Sequence, residues 1–351
     1  MKVVYVTLDP FKYPRIKKIA SSLKKINGIN FEFMIPKFRI VPHGSSRFKR
    51  LFLAVVNYLT VFLQVFFLKA DLFWVANCPD ILAIPLVLRR KKYLLEYRSP
   101  WSIEVEEEFG KGPWVQPATI IEKTALRNAL AITLTTSKLQ NRISAFGKPN
   151  FVIPNFSTKT FEASIDTNDF RRKHGVKNDE KIVLFVGKLT HVEGADMLPE
   201  IIDQIKEKAE CVFWVIGSGP LLPFLKTFEK KFRNKIKLFG WVPHEEVSNF
   251  INAADVCLAP RHTSKYSLFY NEEGLNKVAE YIFFGKPIVA CGIAESSQYL
   301  LVKEKEIAEG TLRALKGEIP ASIPKTWEEQ SEKKIFELFS WLRSRLNTSD
   351  V

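Results

Sequence analysis

Short apolar runs alternate with amphipathic stretches along the first half of the chain. Residues 3–8 (VVYVTL) form a compact run rich in valine, which is typical of a β-strand. Over residues 14–26 the apolar positions recur every three or four residues, which predicts a helix. Strands that alternate with helices predict parallel βαβ units. Further strands are predicted at 31–35, 72–76, 93–97, 131–137 and 151–155.

The alternation pauses and then restarts in the second half of the chain. Residues 157–168 are polar and have no clear apolar period, so they are predicted to form a linker. Two consecutive α/β units predict two Rossmann-like parallel-sheet domains that face a cleft, with ligands bound beyond the carboxyl ends of the strands. The strands of the second unit are predicted at 181–187, 211–219, 235–242, 255–260 and 287–291.

The apolar run at 51–68 (LFLAVVNYLTVFLQVFFL) has three interpretations, because it approaches the length that crosses a bilayer. Polar residues interrupt it, so a mostly buried crossover helix is the leading prediction. An interfacial helix comes second because flanking basic residues suit anionic headgroups, and a membrane span comes last. The interrupting residues are Asn57, Tyr58, Thr60 and Gln64, and the flanking ones are Arg47, Lys49, Arg50 and Lys69.

The composition is that of a globular, basic protein. Of its 351 residues 46% are hydrophobic and 26% charged, which excludes a disordered or fibrous chain. The 52 Lys and Arg against 38 Asp and Glu give a net charge of +14, which favours anionic partners. The lysines lie dispersed between apolar residues at helical spacing. This arrangement favours solvated helix faces, so no nucleic-acid partner is predicted.

Cysteine and histidine positions predict no disulfide framework and no metal site. No Cys-x-x-Cys pair occurs among the four cysteines, so reduced thiols are expected. The N-terminal apolar run is too short for a signal peptide, so a cytoplasmic location is expected. No metal-ligand spacing such as His-Glu-x-x-His occurs among His43, His174, His191, His244 and His262.

The segment 255–291 contains the most informative pattern, a pair of carboxylates separated by seven residues. A helix is predicted to begin near Leu275 or Asn276 and to run to Phe284, where Gly285 stops it. Glu280 then lies inside the helix and Glu272 in the preceding loop. Carboxylates beside a helix N-terminus can accept hydrogen bonds from sugar hydroxyls, while the free amides hold a phosphate. Taken alone, the pair also fits an ordinary helix residue and a first-turn acid favoured by the helix dipole.

Together with Gly285-Lys286-Pro287-Ile288-Val289, this pattern resembles the sugar-nucleotide site of family 4 glycosyltransferases of the GT-B fold. Residues 184–202, 215–225 and 236–260 resemble successive segments of that family's donor domain. The tail at 326–342 resembles its terminal helix, which crosses back to the first domain. The resemblance implies an N-terminal acceptor-side domain over 1–160, a C-terminal donor domain over 161–325, and a terminal helix over 326–351 that packs on the first domain.

The resemblance also implies roles for individual residues. Lys188 and Glu272 are expected to be catalytic. Lys188 is expected to stabilise the negative charge that grows on the diphosphate in the transition state. Glu272 is expected to accept a hydrogen bond from a hydroxyl of the donor sugar. Glu280 is expected to accept the ribose hydroxyls. A surface lysine after a strand remains the alternative for Lys188. The donor-binding set is predicted to be Gly187, Gly217, Gly219, Asn276, Lys277, Glu280 and Lys265, with the glycines serving turns or close backbone approach.

Glu193 departs from the family pattern, which has a lysine at this position. A carboxylate beside a diphosphate repels it unless the carboxylate is paired or turned away. The candidates for a compensating cation are Lys265, Lys277 and Arg261. Without such compensation, donor cleavage would be impaired.

Arg98 ends a strand of the first unit and precedes Pro100-Trp101. We expect Arg98 to contact the acceptor or the donor phosphates as a third catalytic residue, and Trp101 to stack on a sugar ring. An ordinary loop with a packed tryptophan is the alternative interpretation.

The implied function is a retaining transfer of a hexosyl or N-acetylhexosaminyl group from a UDP- or GDP-sugar, with no cofactor or metal required. The acceptor is expected to be a glycan or a lipid-linked molecule, in polysaccharide, glycolipid or glycoprotein glycan assembly. A peripheral contact with an anionic membrane is expected from the basic charge and from residues 51–68. Two alternatives are a GT-B sugar-nucleotide epimerase and a degenerate protein that binds a sugar nucleotide or polyanion without turnover.

Overall fold

The chain folds into two compact units. The computed structural model describes residues 1–8, 14–36, 47–232, 235–265 and 267–347. Their side chains are described as well, except at 47–55 and 346–347. The first unit comprises Met1–Pro154 and Ser331–Val351, and the second comprises Asn155–Gln330. Each unit contains one six-stranded sheet. The predicted α/β class with two Rossmann-like domains is therefore confirmed.

The first unit is built on a parallel sheet with the strand order β2-β1-β3-β4-β5-β6. The three central strands β3, β4 and β5 are buried at every residue, because helices cover both faces of such a sheet. The strands are β1 (Lys2–Val6), β2 (Asn30–Phe33), β3 (Leu72–Ala76), β4 (Tyr93–Tyr97), β5 (Ala131–Leu134) and β6 (Asn150–Val152).

The helices of the first unit come from both ends of the chain. Its last helix, α13, contributes the buried side chains Leu338 and Phe339, and the Phe339 ring lies 6.1 Å from that of Trp74 in β3. The helices are α1 (Pro14–Lys24), α2 (Arg47–Phe67), α3 (Ile84–Leu88), α4 (Trp101–Phe109), α5 (Val115–Asn128), α6 (Gln140–Ile143) and α13 (Lys333–Asn347).

The second unit repeats the architecture, with the strand order β12-β11-β10-β7-β8-β9 in a parallel sheet. Its strands are β7 (Lys181–Val186), β8 (Cys211–Ile216), β9 (Ile236–Gly240), β10 (Val256–Ala259), β11 (Ile288–Ala290) and β12 (Leu300–Leu301). Its helices are α7 (Thr167–Lys173), α8 (Leu198–Ile205), α9 (Leu222–Lys231), α10 (His244–Ala253), α11 (Asn276–Phe283) and α12 (Ile307–Leu315).

Helix α2 is a crossover helix between β2 and β3, but the expectation that it is mostly buried is wrong for residues 56–67. Val61 and Val65 are buried, whereas Leu59, Leu63 and Phe67 have exposed fractions of 59%, 56% and 72%. These three side chains recur every four residues, so they form one apolar row on the outer face of the helix. The predicted flanking side chains at 47, 49 and 50, and His43, lie outside the described part of the chain.

Within the described ranges, none of the helices combines the length and the apolar character that crossing a bilayer requires.

Candidate functional site

Two glycine loops pack against each other at the carboxyl ends of β7 and β8. A Cβ atom on Gly217 would lie 1.8 Å from the carbonyl oxygen of Gly187, and one on Gly219 would lie 2.5 Å from that of Leu189. Gly217 also has a φ of +142°, which residues with a side chain rarely adopt. The Leu189 amide donates to the Ser218 carbonyl over 3.0 Å and fixes the contact. These glycines therefore allow two backbone segments to meet at the carboxyl edge of the sheet.

Lys188 lies at the tip of the first of these loops. It follows Gly187 directly, and its side chain is exposed. No acidic side chain in the described ranges forms an ion pair with it. Its ammonium group is therefore available to an anion that approaches the carboxyl edge of the sheet.

Glu193, the residue that departs from the family pattern, is paired with two cations. Its Oε1 lies 2.6 Å from Nη1 of Arg261, and its Oε2 lies 2.7 Å from Nζ of Lys277. Arg261 and Lys277 are 5% and 8% exposed, so all three groups share a poorly solvated environment. The carboxylate is thus neutralised, and the three side chains together have a surplus of one positive charge. Of the three cations considered from the sequence, only Lys265 is not in this pairing; it is exposed after β10.

The pairing holds Glu193 in its ionised form. Burial alone would raise the pKa of Glu193, but the charges of Lys277 and Arg261, and the hydrogen bond from Arg261, lower this pKa to about 2. Burial lowers the pKa of Lys277, and the attraction of Glu193 opposes that change. Lys277 Nζ also lies 4.6 Å from the centre of the Phe185 ring and 3.2 Å from the place of a Cβ on Gly187. The ammonium group therefore lies directly against the Gly187 backbone.

Helix α11 begins at Asn276, as the sequence predicts, and Leu275 precedes it. Leu275 offers no side-chain cap, so no such side chain occupies the amides of the first turn. The amides at the start of a helix have no partner within the helix, and the helix dipole favours an anion beside them. Asn276 and Lys277 thus lie at a helix end that suits a phosphate.

The two predicted carboxylates, Glu272 and Glu280, are both largely buried. Glu272 lies in the loop before α11 with an exposed fraction of 7%, and its Oε2 finds no hydrogen-bond partner in the described part of the chain. The Glu280 side chain is 12% exposed, and its Oε1 lies 3.0 Å from Nε2 of His244. An unpaired buried oxygen costs free energy unless a ligand donates to it. Glu272 therefore suits a ligand hydroxyl, and His244 orients Glu280.

Arg98 belongs to the first unit, where it is part of a buried ionic network. Its Nε lies 2.8 Å from Oε1 of Glu96, and its Nη2 donates to the Tyr5 hydroxyl over 2.7 Å. Arg15 Nε lies 2.8 Å from the same oxygen of Glu96, which is fully buried. Burial would raise the pKa of Glu96, but Arg98 and Arg15 lower it to about 2. Two guanidinium groups therefore share one carboxylate at the end of β4.

The structure gathers the predicted site residues of the second unit around two features. The sequence alone does not assign a role to His244 or Glu96, although a carboxylate inside the apolar strand YLLEY is a signal for Glu96. The glycine loops after β7 and β8 contain Gly187, Lys188, Gly217 and Gly219. The start of α11 and its preceding loop and first turns contain Glu272, Asn276, Lys277 and Glu280. Lys265 lies in the loop after β10, and Arg98 belongs to the other unit.

Residues 180–317 match the family model described as Glycosyl transferases group 1. The chain is 32% identical over 94 residues to an uncharacterized glycosyltransferase of Methanocaldococcus jannaschii, a match that covers 26% of this chain and 24% of the relative. It is 24% identical over 192 residues to TuaC of Bacillus subtilis, whose name assigns it to teichuronic acid biosynthesis. That match covers 52% of this chain and 45% of TuaC, so the chain aligns with less than half of either relative.

Solved structures match the chain over almost its full length. Sucrose-phosphate synthase from Thermosynechococcus elongatus superposes with a TM-score of 0.69 at 16% identity, over 99% of this chain and 97% of that one. HepE of Anabaena, in complex with UDP and glucose, superposes with a TM-score of 0.66 at 14% identity, over 98% of this chain and all of HepE. At such identities the likeness establishes the fold.

Proposed function

We propose that the chain transfers a sugar from a nucleoside diphosphate sugar to an acceptor hydroxyl, because residues 180–317 match the model of the group 1 glycosyltransferases and the chain has the GT-B fold. The donor binds at the glycine loops and at the start of α11. A UDP-sugar is the first choice of donor, because HepE was solved with UDP and glucose. The finer proposal is retention of configuration at the transferred hexose or N-acetylhexosamine, which rests on the family resemblance.

The paired state of Glu193 is the observation that carries this proposal. In glycosyl transfer negative charge grows on the departing diphosphate, so fixed cations and amides near it lower the barrier. An unpaired carboxylate at position 193 would oppose that charge. Because Arg261 and Lys277 both contact Glu193, the group instead contributes a net positive charge beside the Gly187 backbone. Lys188 adds a second, exposed cation.

The start of α11 supplies the remaining donor contacts. The amides of its first turn hold a phosphate group. Glu280, oriented by His244, accepts the ribose hydroxyls, and Glu272 accepts a hydroxyl of the donor sugar through its unpartnered oxygen. We assign Arg98 to the acceptor side, where its pairing with Glu96 orients the guanidinium group.

A thermal-shift screen of UDP-, GDP- and ADP-sugars, followed by calorimetry with the best of them, tests donor binding. At equal concentration, a donor that binds more tightly raises the melting temperature further, because the stabilisation grows with the logarithm of its affinity. We expect Glu280→Ala to weaken donor binding about 10- to 100-fold, because one charge-assisted hydrogen-bond acceptor is lost. Glu309→Ala, an exposed carboxylate on α12, is the matched control. Equal donor affinity in Glu280→Ala and in the control would remove the ribose assignment.

Turnover separates the transferase from the two alternatives. We expect release of nucleoside diphosphate with transfer to an acceptor, and slower release in Lys188→Ala at similar fold stability. Interconversion of the sugar at C2 without release of nucleotide would indicate an epimerase. Tight donor binding with no turnover, restored by Glu193→Lys, would indicate a degenerate protein.

We propose further that the acceptor is presented at an anionic membrane surface. The apolar row Leu59, Leu63 and Phe67 on α2 is exposed, and Arg89 donates to the carbonyl groups of Phe66 and Leu68 at the end of that helix. Exposed basic residues follow at Arg90, Lys91 and Lys92. An apolar row beside a basic group suits the headgroup region of a membrane with anionic lipids.

Co-sedimentation with vesicles of phosphatidylglycerol and phosphatidylcholine tests the membrane proposal. We expect binding at low salt that declines with added salt. Leu63→Gln with Phe67→Gln should abolish binding, whereas Ile323→Gln, an apolar side chain of the second unit with an exposed fraction of 68%, should leave it unchanged. Absence of binding by the unaltered protein at low salt would overturn the proposal.

A further inference from the structure

Two histidines and two carboxylates of the second unit meet at a place that the proposed reaction does not use. The Oδ2 atom of Asp196 lies 3.1 Å from Nδ1 of His191 and 2.9 Å from Nε2 of His262. One potential ligand atom from each of the three residues lies within 4.8 Å of the others. His191 follows the Lys188 loop, and His262 follows β10, so the cluster joins two separate loops.

A fourth side chain fixes the orientation of one imidazole. Oε2 of Glu304 lies 2.8 Å from Nδ1 of His262, and its Oε1 accepts the Thr263 amide over 2.8 Å. Histidines that bind a metal commonly donate their other ring N–H to a carboxylate, which fixes the tautomer. In the tautomer that donates Nδ1–H to Glu304, the lone pair of His262 lies on Nε2, which is 2.9 Å from Oδ2 of Asp196.

The charge of the cluster favours a cation. With neutral imidazoles, Asp196 and Glu304 contribute two negative charges. Oδ1 of Asp196 is buried and has no hydrogen-bond partner in the described part of the chain. The adjacent cation, Arg261, is directed at Glu193 instead. A divalent ion would balance both charges.

We propose that His191, Asp196 and His262 bind a divalent transition-metal ion of the zinc class, with Glu304 as the positioning residue of His262. Imidazole and carboxylate are common zinc ligands, and bond lengths of 2.0–2.2 Å in a tetrahedron separate neighbouring ligand atoms by about 3.3 to 3.6 Å. The observed separations of 3.1 and 2.9 Å require a small outward shift. The ion would clamp the loop after Lys188 to the loop after β10, and a solvent molecule would complete its coordination.

Calorimetry with Zn²⁺ on the metal-stripped, tag-free full chain tests this site. We expect one equivalent to bind. Asp196→Asn and His262→Gln should each weaken binding at least about 10-fold, and Glu304→Gln should weaken it about 10- to 100-fold because it acts through His262. His191→Gln replaces a side chain that is 73% exposed, so it tests the site without endangering the fold. Asp203→Asn, an exposed carboxylate on α8, is the matched control.

The spectrum of bound Co²⁺ and the stoichiometry of Zn²⁺ binding test the proposed metal site. Co²⁺ in place of Zn²⁺ should give a visible spectrum without a thiolate charge-transfer band, which excludes binding at the four free cysteines. The proposal fails if no stoichiometric ion binds, or if Asp196→Asn and His262→Gln bind Zn²⁺ as the unaltered protein does. The cluster is then an imidazolium ion held between two carboxylates.

Discussion

At the scale of single residues, the buried charges are organised as shared pairs. Glu193 contacts two cations in the second unit, and Glu96 contacts two arginines in the first. Breaking such a pair by removing one partner leaves an uncompensated charge in a poorly solvated place. The charge of Lys277 therefore contributes to the fold, in addition to the role we propose for it at the diphosphate.

The substitution Lys277→Met is expected to lower the free energy of unfolding by about 3 kcal/mol, because Glu193 then keeps only Arg261. Lys188→Met, at an exposed lysine of the neighbouring loop, should change it by less than about 0.5 kcal/mol. Urea unfolding of the two variants measures the difference. Equal stabilities would contradict the interpretation of Lys277 as a buried, paired cation.

Stability should depend on pH through Glu96. Its folded-state pKa of about 2 lies below the ordinary value of 4.5, so ionised Glu96 stabilises the fold above pH 4.5, and this contribution is lost as the pH falls toward 2. We expect roughly 2 to 3 kcal/mol of stability to disappear across that window. Urea unfolding at several pH values between 5 and 2 gives the free energy of unfolding as a function of pH. This free energy should fall less steeply with decreasing pH in Glu96→Gln. In Glu207→Gln, at an exposed position, it should fall as it does in the unaltered protein.

At the scale of elements, the contact between the β7 and β8 loops depends on glycine. Gly217 has a positive φ, and a Cβ atom there would lie only 1.8 Å from the Gly187 carbonyl oxygen, so no side chain fits. The local signals of the sequence predict the loops and the start of α11, because turn residues and helix boundaries are encoded by neighbouring positions. They do not predict which atoms of the two loops touch.

Gly217→Ala is expected to destabilise the second unit by more than about 2 kcal/mol, since backbone strain and a steric clash add. Gly175→Ala is the matched control: its φ is +71°, but a Cβ there meets no atom within 4 Å, so only the strain remains, about 1 kcal/mol. Thermal unfolding compares the two. A similar loss in both variants would show that the close approach of the loops does not matter.

The sequence predicts elements better than it predicts clusters. It predicts β1 to β11 and the start of α11, because each is a local pattern, but it misses the two-residue strand β12. Of the three cations that it offers as partners of Glu193, Arg261 and Lys277 pair with it and Lys265 does not. It misses the meeting of His191 with His262, since 71 positions separate them along the chain. It also overestimates the burial of α2, because an apolar row has the same sequence pattern whether it faces a core or the solvent.

At the scale of the whole molecule, the first unit takes residues from both ends of the chain. Helix α13 belongs to it, and its buried side chains complete the core around β3. Phe339→Ala is expected to cost about 3 to 5 kcal/mol in the first unit, because a large buried ring is removed. Phe224→Ala, at a side chain with an exposed fraction of 45%, should cost less than about 1 kcal/mol.

Urea unfolding gives the two stabilities, and calorimetry with the donor adds a second readout. Donor affinity should be unchanged in Phe339→Ala, since its contacts belong to the second unit. A loss of donor affinity equal to that of Glu280→Ala would contradict the assignment of the donor to that unit alone.

The return of α13 to the first unit has a consequence for the newborn chain. As the ribosome releases the polypeptide from its N-terminus, all of Asn155–Gln330 emerges before Ser331–Val351 does. The first unit therefore begins to emerge first but is completed last. The second unit can fold while the first still lacks helix α13.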